Sequence, residues 1–386
     1  MSDLPRIAAW FNDGQLLKPR ASGLNTTVDL MNTLVALAGG MPARHERLAC
    51  SIPPADHYIF VIVDGLGSEL LRNHCPNGFI AHHTVGELEA VFPSTTGAAM
   101  TSYATAQYPA HHGVLGWWVY LEPQDIVGIS LMFVERFGGK DLRTYGVPPE
   151  TMFGRTPAIL STLRRDAAMV TPFPNSVYST YSAGGCRQFG YSKLEEAFAQ
   201  TIDRVTAATT ETYTQLYFPQ LDGLCHELGV HDPRVAALLT QIDRGVEKFA
   251  AAVAGRARII LSADHGHVSL SRRQRIELPH DDPFFSHLKC APCGEPTVPI
   301  FHVRPGHEPD FAAAFRSRLG DRFALISADE ADALRLFGPD PMTAFARRGL
   351  GQFVAIAPEP TFLDDVRDPP KHPPFLGTHA GVTRGR

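Results

Sequence analysis

Long apolar runs and long basic runs are both missing from this chain of 386 residues. The apolar run Tyr58–Val63 is far too short to span a membrane, and residues 1–20 lack the continuous apolar segment of a signal peptide. The formal net charge is -5, and without a basic run a nucleic acid polymer is not favoured as a partner. These absences predict a soluble, cytoplasmic protein with no membrane partner.

Cysteine is also sparse, and six residues in a chain of this length are compatible with reduced thiols. Cys290 and Cys293 form a C-x-x-C pair, which is half of a structural zinc motif. No second pair follows at a useful spacing, so two free loop cysteines are the favoured interpretation and a zinc site is the alternative.

What is present is an ordinary globular composition, with 44% hydrophobic and 19% charged residues. This length supplies ample apolar material for a large core, and no repeat or low-complexity segment divides the chain. We therefore predict a single domain over residues 1–386.

Apolar runs of strand type alternate with stretches of helical periodicity. Tyr58–Val63, Thr212–Phe218 and Arg258–Leu261 are predicted strands, and the first is expected to be buried on both faces because it does not alternate. Helices are predicted at Gly97–Ala106 and Pro233–Val253. This order predicts an α/β fold with a mostly parallel central sheet.

The segment from about residue 270 to 347 has a different composition, because it is rich in proline and charge before it alternates strands with helices. We predict that it forms a small α/β subdomain inserted into the main domain. Its predicted elements are Val298–Val303, Asp310–Arg318, Phe323–Ser327 and Asp329–Leu336.

Side chains that are able to hold metal ions collect after the strand-like runs. VIVDGLG, FPQLDGLCHELG and LSADHGH place them at the carboxyl ends of strands, where open α/β sheets gather their chemistry. Asp222 and His226 are four residues apart, so a short helix presents both on one face. Three carboxylates, three imidazoles and one hydroxyl are enough for two divalent metals. The candidate ligands are Asp64, Thr96, Asp222, His226, Asp264, His265 and His379. His267 is expected to support these ligands.

The hydroxyl residues Ser94, Thr95 and Thr96 follow another predicted strand, Glu87–Phe92, at the point where a helix begins. Hydroxyl side chains at such a position cap the helix, and the amides of its first turn attract phosphate. The segment therefore predicts an anion-binding helix start that carries a candidate nucleophile.

Five motifs occur in a fixed order between about residues 57 and 381: VDGLG, FPSTTGAAMTSYATAQYPAHHGVLGW, LDGLCHELG, SADHGH and GTHAG. In this order and spacing they resemble the alkaline phosphatase superfamily, and within it the type I phosphodiesterase / nucleotide pyrophosphatase family. The resemblance implies an alkaline-phosphatase-like three-layer sandwich, with helices on both faces of the sheet.

The resemblance also implies two divalent metal ions, usually zinc in such families, with manganese as an alternative. One ion would be held by Asp64, Thr96, Asp264 and His265. The other would be held by Asp222, His226 and His379. Thr96 matches the nucleophile of the family, and Thr95 is a one-residue alternative.

The activity that the resemblance implies is hydrolysis of phosphodiester or pyrophosphate bonds in small, nucleotide-like substrates through a phosphothreonine intermediate. A metal on the threonine oxygen makes the alkoxide accessible near neutral pH. The alternatives are a phosphomonoester or phosphonate hydrolase or a phosphomutase of the same superfamily, and, less favoured, a non-catalytic binding protein.

Overall fold

Two sheets organise the part of the chain that the computed structural model describes, which is residues 2–44, 48–153, 156–366 and 375–382. The α-helices are α1 Leu4–Asn12, α2 Thr27–Leu37, α3 Ser68–His74, α4 Phe79–His82, α5 Thr96–Thr105, α6 Pro109–His112, α7 Val177–Ala183, α8 Leu194–Ala207, α9 Gln220–Leu228, α10 Pro233–Ala252, α11 Glu308–Leu319, α12 Ala328–Ala333 and α13 Ala344–Gly349. The strands are β1 His57–Val63, β2 Trp118–Leu121, β3 Ile126–Ile129, β4 Val134–Glu135, β5 Asp166–Thr171, β6 Arg187–Gly190, β7 Thr212–Phe218, β8 Ala257–Ser262, β9 Val268–Ser269, β10 Arg275–Pro279, β11 Cys293–Glu295, β12 Val298–Phe301, β13 Ala324–Ser327, β14 Phe353–Ile356, β15 Phe362–Val366 and β16 Gly377–Thr378.

None of the helices within these ranges has the length and apolar content needed to cross a bilayer. The cytoplasmic location stays a prediction.

The first sheet has the strand order β6-β5-β7-β1-β8, and its neighbouring strands run parallel. Successive side chains of β1 enter two different cores, with Tyr58, Phe60 and Ile62 on one face and Ile59, Val61 and Val63 on the other. Helices α2 and α5 contribute to the first core, and α8 and α10 to the second. A strand buried on both faces has no polar side to display, which explains the unbroken run YIFVIV. The predicted α/β class with helices on both faces of a parallel sheet is confirmed.

The second sheet has the order β13-β14-β12-β11-β2-β3-β4, and its neighbouring strands run antiparallel. It joins strands from residues 293–356 to the strands of residues 118–135 through the pairing of β11 with β2. A phenylalanine-rich core packs against the strands β12, β13 and β14 of this sheet. It includes Phe301, Phe311, Phe315 and Phe323. The sheet therefore draws on chain from outside the predicted insertion, and the insertion boundaries near 270 and 347 stay a prediction.

The predicted strand Glu87–Phe92 is wrong. Within it, Glu89 forms only an isolated bridge with Thr26. The Glu89 carboxylate accepts hydrogen bonds from the Arg20 amide and from the Ser22 hydroxyl. The Glu89 side chain therefore ties this segment to the loop that contains Arg20 and Ser22. A pattern of apolar residues does not reveal such side-chain bonds.

The segment of residues 375–382 contributes one strand to a separate two-stranded antiparallel pair. In this pair β16 bonds to β9, which lies only a few residues beyond the end of β8. The Leu376 amide donates to the His226 carbonyl at 2.8 Å, and the Leu270 amide donates to the Leu376 carbonyl at 2.8 Å. These bonds bring His379 to the carboxyl edge of the sheet.

Candidate functional site

Three carboxylates meet at this edge because the elements that carry them are neighbours. Asp64 follows β1, Asp222 lies on α9 just after β7, and Asp264 follows β8, while the sheet places β7 and β8 on either side of β1. Gly65 turns the chain after Asp64 with a φ of +74°, and a Cβ at this position would lie 3.2 Å from the Asp222 Cβ. Glycine is therefore required for both the turn and the close approach of α9.

The first candidate group consists of Asp64, Asp264 and His265, whose exposed fractions are only 1%, 1% and 3%. The His265 Nδ1 lies 3.1 Å from the Gly266 carbonyl oxygen and donates to it, which leaves the lone pair on Nε2. His265 Nε2 is 3.4 Å from Asp64 Oδ1 and 3.4 Å from Asp264 Oδ2. The possible ligand atoms of this group all lie within 4.8 Å of one another.

Two carboxylate oxygens of the first group have no hydrogen-bond partner among the described residues, namely Asp64 Oδ1 and Asp264 Oδ2. The other oxygens are satisfied, because Asp64 Oδ2 accepts the Tyr217 hydroxyl and Asp264 Oδ1 accepts two backbone amides. Burial raises the pKa of Asp64 well above its usual range, and the charges of Asp264 and Asp222 raise it further. A divalent cation between these oxygens would supply both the missing partner and the missing positive charge, so the residues fit a metal site.

The second candidate group, Asp222, His226 and His379, is more open, with side chains 15%, 20% and 8% exposed. The His226 Nδ1 donates to the Gly377 carbonyl at 3.0 Å, which directs Nε2 to within 3.1 Å of the His379 Nε2. The same Nε2 lies 3.6 Å from Asp222 Oδ1. Two imidazoles and a carboxylate form a donor set that suits zinc.

The two groups are neighbours, since the rings of His265 and His379 lie 4.1 Å apart between centroids. The predicted hydroxyl lies with the first group, because Thr96 Oγ1 is 3.1 Å from His265 Nε2. The seven residues singled out in the sequence are thus brought to one edge of the sheet. Their roles as metal ligands stay a prediction.

The start of α5 differs from expectation. Thr95 occupies the N-cap position with extended backbone, but its side chain makes no capping hydrogen bond. The prediction of a hydroxyl cap is wrong because the Thr95 hydroxyl donates to Glu295 Oε1 at 2.6 Å. Within the part of the chain that the structure describes, the amides of the first helical turn thus lack a capping side chain, which keeps them available to an anion.

His267 contacts the second group. Its Nε2 lies 2.6 Å from Asp222 Oδ1, and its ring atoms fall within 4.8 Å of possible ligand atoms of Asp222, His265 and His379. Burial lowers the pKa of His267 to about 4, although the bond to Asp222 raises it. The neutral ring therefore donates to the carboxylate and fixes its orientation.

Tyr217 and Glu295 also contact the site, and neither was predicted. Tyr217 sits in β7 opposite Ile62 of β1, which places its hydroxyl against Asp64. Glu295 is 5% exposed and ends β11 of the second sheet. A tyrosine in a strand-like run is predicted to be a core residue, so Tyr217 does not stand out in the sequence. Glu295 is 200 residues from Thr95, so no local pattern links it to the site.

Cys290 and Cys293 belong to neither of the two groups. The Sγ atoms of Cys290 and Cys293 are 3.9 Å apart, and all six cysteines are free thiols. Within the described ranges, the residue groups that could hold a metal ion contain no cysteine. Cys293 is the first residue of strand β11, so the prediction of two loop cysteines is wrong for this residue. The zinc alternative stays a prediction.

Solved structures with this fold include murine ectonucleotide pyrophosphatase / phosphodiesterase 5, which is 15% identical, with a TM-score of 0.64 and coverage of 84% of each chain. An inactive form of that protein in complex with AMP has a TM-score of 0.63 and 14% identity, over 84% of this chain and 83% of that one. Phosphonoacetate hydrolase from Sinorhizobium meliloti 1021, in complex with phosphonoformate, has a TM-score of 0.61 and 15% identity, over 85% of this chain and 87% of that one. At such identities the likeness shows the fold. No curated protein sequence matches the chain.

The match to a family model, together with this fold, places the chain among the hydrolases of the alkaline phosphatase superfamily that act on phosphoric ester bonds. Residues 58–315, more than half of the chain, match the model of the type I phosphodiesterase / nucleotide pyrophosphatase family. The chain belongs to this family.

Proposed function

We propose that this protein is a two-metal hydrolase that cleaves phosphodiester or pyrophosphate bonds of small, nucleotide-like molecules through a phosphothreonine intermediate. The observation that carries the proposal is the position of the Thr96 hydroxyl. It lies at the start of α5, which the Thr95 side chain does not cap, and 3.1 Å from His265 Nε2. That nitrogen is 3.4 Å from Asp64 Oδ1 and 3.4 Å from Asp264 Oδ2, two oxygens without a hydrogen-bond partner among the described residues. Family membership and the AMP complex of the murine relative support the same substrate class.

Each of the two groups would hold one divalent cation. Zinc is the first choice for these nitrogen and oxygen donors, and manganese is the alternative. The first would be held by Asp64, Thr96, Asp264 and His265. The second would be held by Asp222, His226 and His379. When bound, the cations lower the pKa of the threonine hydroxyl and of a water molecule and neutralise phosphoryl oxygens.

Thr96 supplies the nucleophile. Because Thr96 is the first residue of α5, the amides of Gly97 and Ala98 follow it in the first helical turn and would donate to the non-bridging oxygens of the substrate. Attack by Thr96 Oγ on phosphorus forms the phosphothreonine and expels the alcohol or phosphate leaving group. Water then cleaves the new P–O bond, restores the hydroxyl and releases a phosphate monoester.

The charges around the site favour a diester. Each ion pair that the described residues give to Asp64, Asp222 and Asp264 is with a histidine, so no arginine or lysine clamp accompanies these carboxylates there. A diester carries one negative charge fewer than a monoester dianion and needs less compensation. We expect kcat/KM for diesters to exceed that for matching monoesters by at least about tenfold, or about 1.4 kcal/mol of transition-state binding.

The test compares bis-p-nitrophenyl phosphate and the nitrophenyl ester of thymidine monophosphate with p-nitrophenyl phosphate. A preference for the monoester would overturn the phosphodiesterase assignment. Because phosphonoacetate hydrolase shares the fold, phosphonate hydrolysis is the second candidate, and phosphonoacetate belongs in the same panel. Faster turnover of phosphonoacetate than of any diester would select this candidate.

Replacement of Thr96 tests the intermediate. Thr96→Ala should lower kcat by at least about 1,000-fold because it removes the attacking oxygen. The fold and most of the metal content should be kept, because Asp64, Asp264 and His265 remain to hold the first cation. Thr96→Ser is the matched control and should retain measurable turnover, since it keeps a hydroxyl at the same place. An alanine variant with most of its activity would shift the nucleophile to Thr95 or to a water molecule.

A further inference from the structure

Glu295 makes contacts beside the nucleophile that the reaction scheme leaves unused. Its Oε1 accepts the Thr95 hydroxyl at 2.6 Å and the Trp117 amide at 2.7 Å. Burial raises the pKa of Glu295 to about 7, while the bonds from Thr95 and Trp117 lower it. A buried carboxyl group carries a cost in stability, so a role for it at a functional site is expected.

Close backbone packing brings Glu295 to the helix start. A Cβ on Gly116 would lie 2.6 Å from the Gly294 Cα, and a Cβ on Gly97 would lie 2.9 Å from the Gly116 carbonyl oxygen. Gly294 also has a φ of +71°, which disfavours a side chain at that position. The first turn of α5, the loop before β2 and strand β11 therefore touch through glycines, and the contact fixes Glu295 against Thr95.

Thr95 would otherwise block the helix start. Its backbone, with φ of -133° and ψ of 149°, is the extended conformation that N-cap residues adopt. A threonine in this place ordinarily accepts a hydrogen bond from the second or third helical amide, here Gly97 or Ala98. In this protein the Thr95 hydroxyl instead donates a hydrogen bond to Glu295, and the Thr95 side chain does not cap the helix.

We propose that Glu295 is a positioning residue that keeps the anion-binding end of α5 open by drawing the Thr95 hydroxyl away from the helix amides. The inference rests on the proposed function, because an open helix end serves a phosphoryl group. It also gives the two adjacent threonines different tasks. Thr95 is fully buried and bound to Glu295, whereas the Thr96 hydroxyl contacts His265 of the first group.

Four variants of the metal-loaded protein test this role: Glu295→Gln, Glu295→Ala, Thr95→Val and the double variant Glu295→Ala with Thr95→Val. The probe is inorganic phosphate, whose dissociation constant is measured by calorimetry, with diester kcat and metal content measured in parallel. Glu295→Gln keeps an acceptor oxygen and should bind phosphate within about threefold of wild type. Glu295→Ala frees Thr95 to cap the helix and should bind phosphate about tenfold more weakly.

The double variant gives the decisive comparison. Thr95→Val removes the competing hydroxyl, so it should restore phosphate affinity to the Glu295→Ala protein to within about threefold of Thr95→Val alone. A merely structural role for Glu295 predicts the opposite, a double variant at least as weak as Glu295→Ala. If Glu295→Ala does not fold, Glu295→Leu takes its place, because leucine fills the volume without an acceptor oxygen.

Unchanged phosphate affinity in Glu295→Ala, or a loss that Thr95→Val does not reverse, would overturn the inference. The phosphate measurements involve no turnover. A wild-type protein that hydrolyses no phosphoester but shows the expected phosphate series would therefore refute the proposed function and leave the role of Glu295 standing.

Discussion

The two candidate metal groups stand side by side but are built differently. The first group lies at the ends of two adjacent core strands, β1 and β8, and consists of Asp64, Asp264 and His265. None of these residues is more than 3% exposed. The second combines Asp222 and His226 of the short helix α9 with His379, which is held by the two-residue pair of β16 with β9. Burial on the parallel sheet fixes the first group, whereas the second depends on a few hydrogen bonds between peripheral segments.

This difference predicts that the two groups bind their cations with different affinities, the first group more tightly than the second. The buried group contains the unpaired carboxylate oxygens and the raised pKa of Asp64, so a cation there relieves the larger electrostatic cost. The open group has more neutral donors and more contact with solvent, so its cation should exchange more readily.

The largest effect is expected from Asp264→Asn. The substitution keeps the shape but removes charge from the buried group, and kcat/KM should fall at least about 1,000-fold without recovery in excess metal. Steady-state kinetics over a range of zinc and manganese concentrations measure this. Asp243→Asn is the matched control, because Asp243 is also buried but binds the amides of Phe79 and Ile80, and it should keep near-normal kcat/KM.

A smaller and reversible effect is expected from His379→Ala. The variant should lose about 100-fold in kcat/KM at limiting metal and regain most of it in excess metal, because the open group keeps Asp222 and His226. Kinetics at several metal concentrations provide the readout. A loss as large and as irreversible as that of Asp264→Asn would erase the distinction between the groups.

The smallest effects are expected from the residues that orient the carboxylates. His267→Gln and Tyr217→Phe should each weaken one cation by about tenfold, the former at Asp222 and the latter at Asp64. Metal titrations of the two variants, followed by calorimetry, separate the sites. If both variants weakened the same binding step, the assignment of one supporting residue to each group would be wrong.

The residues of the first group are easier to predict from the sequence than the residues that contact the site around them. The unbroken run YIFVIV marks a doubly buried strand, and an aspartate after such a run lies at the carboxyl edge of a parallel sheet. The contacts of Tyr217 and Glu295 depend instead on tertiary packing. Tyr217 is placed by the register of β7 against β1, and Glu295 by a contact between glycines of separate strands and loops.

The helix cap illustrates the same limit. A threonine before a helix favours a cap by local chemistry, and that prediction failed because a carboxylate from the second sheet binds the hydroxyl instead. Local patterns anticipate local bonds, and a distant buried acid overrides them without leaving a signal near the helix.

Metal titration of the wild-type protein tests the central claim most directly. Metal-free protein titrated with zinc by calorimetry, with elemental analysis after dialysis, should take up about two equivalents in two steps of unequal affinity. The tighter step should be missing from Asp264→Asn, whereas in His379→Ala the weaker step should remain but move to a higher zinc concentration. Uptake of less than about one equivalent, or two steps that both variants lose alike, would contradict the account of two unequal metal groups at one sheet edge.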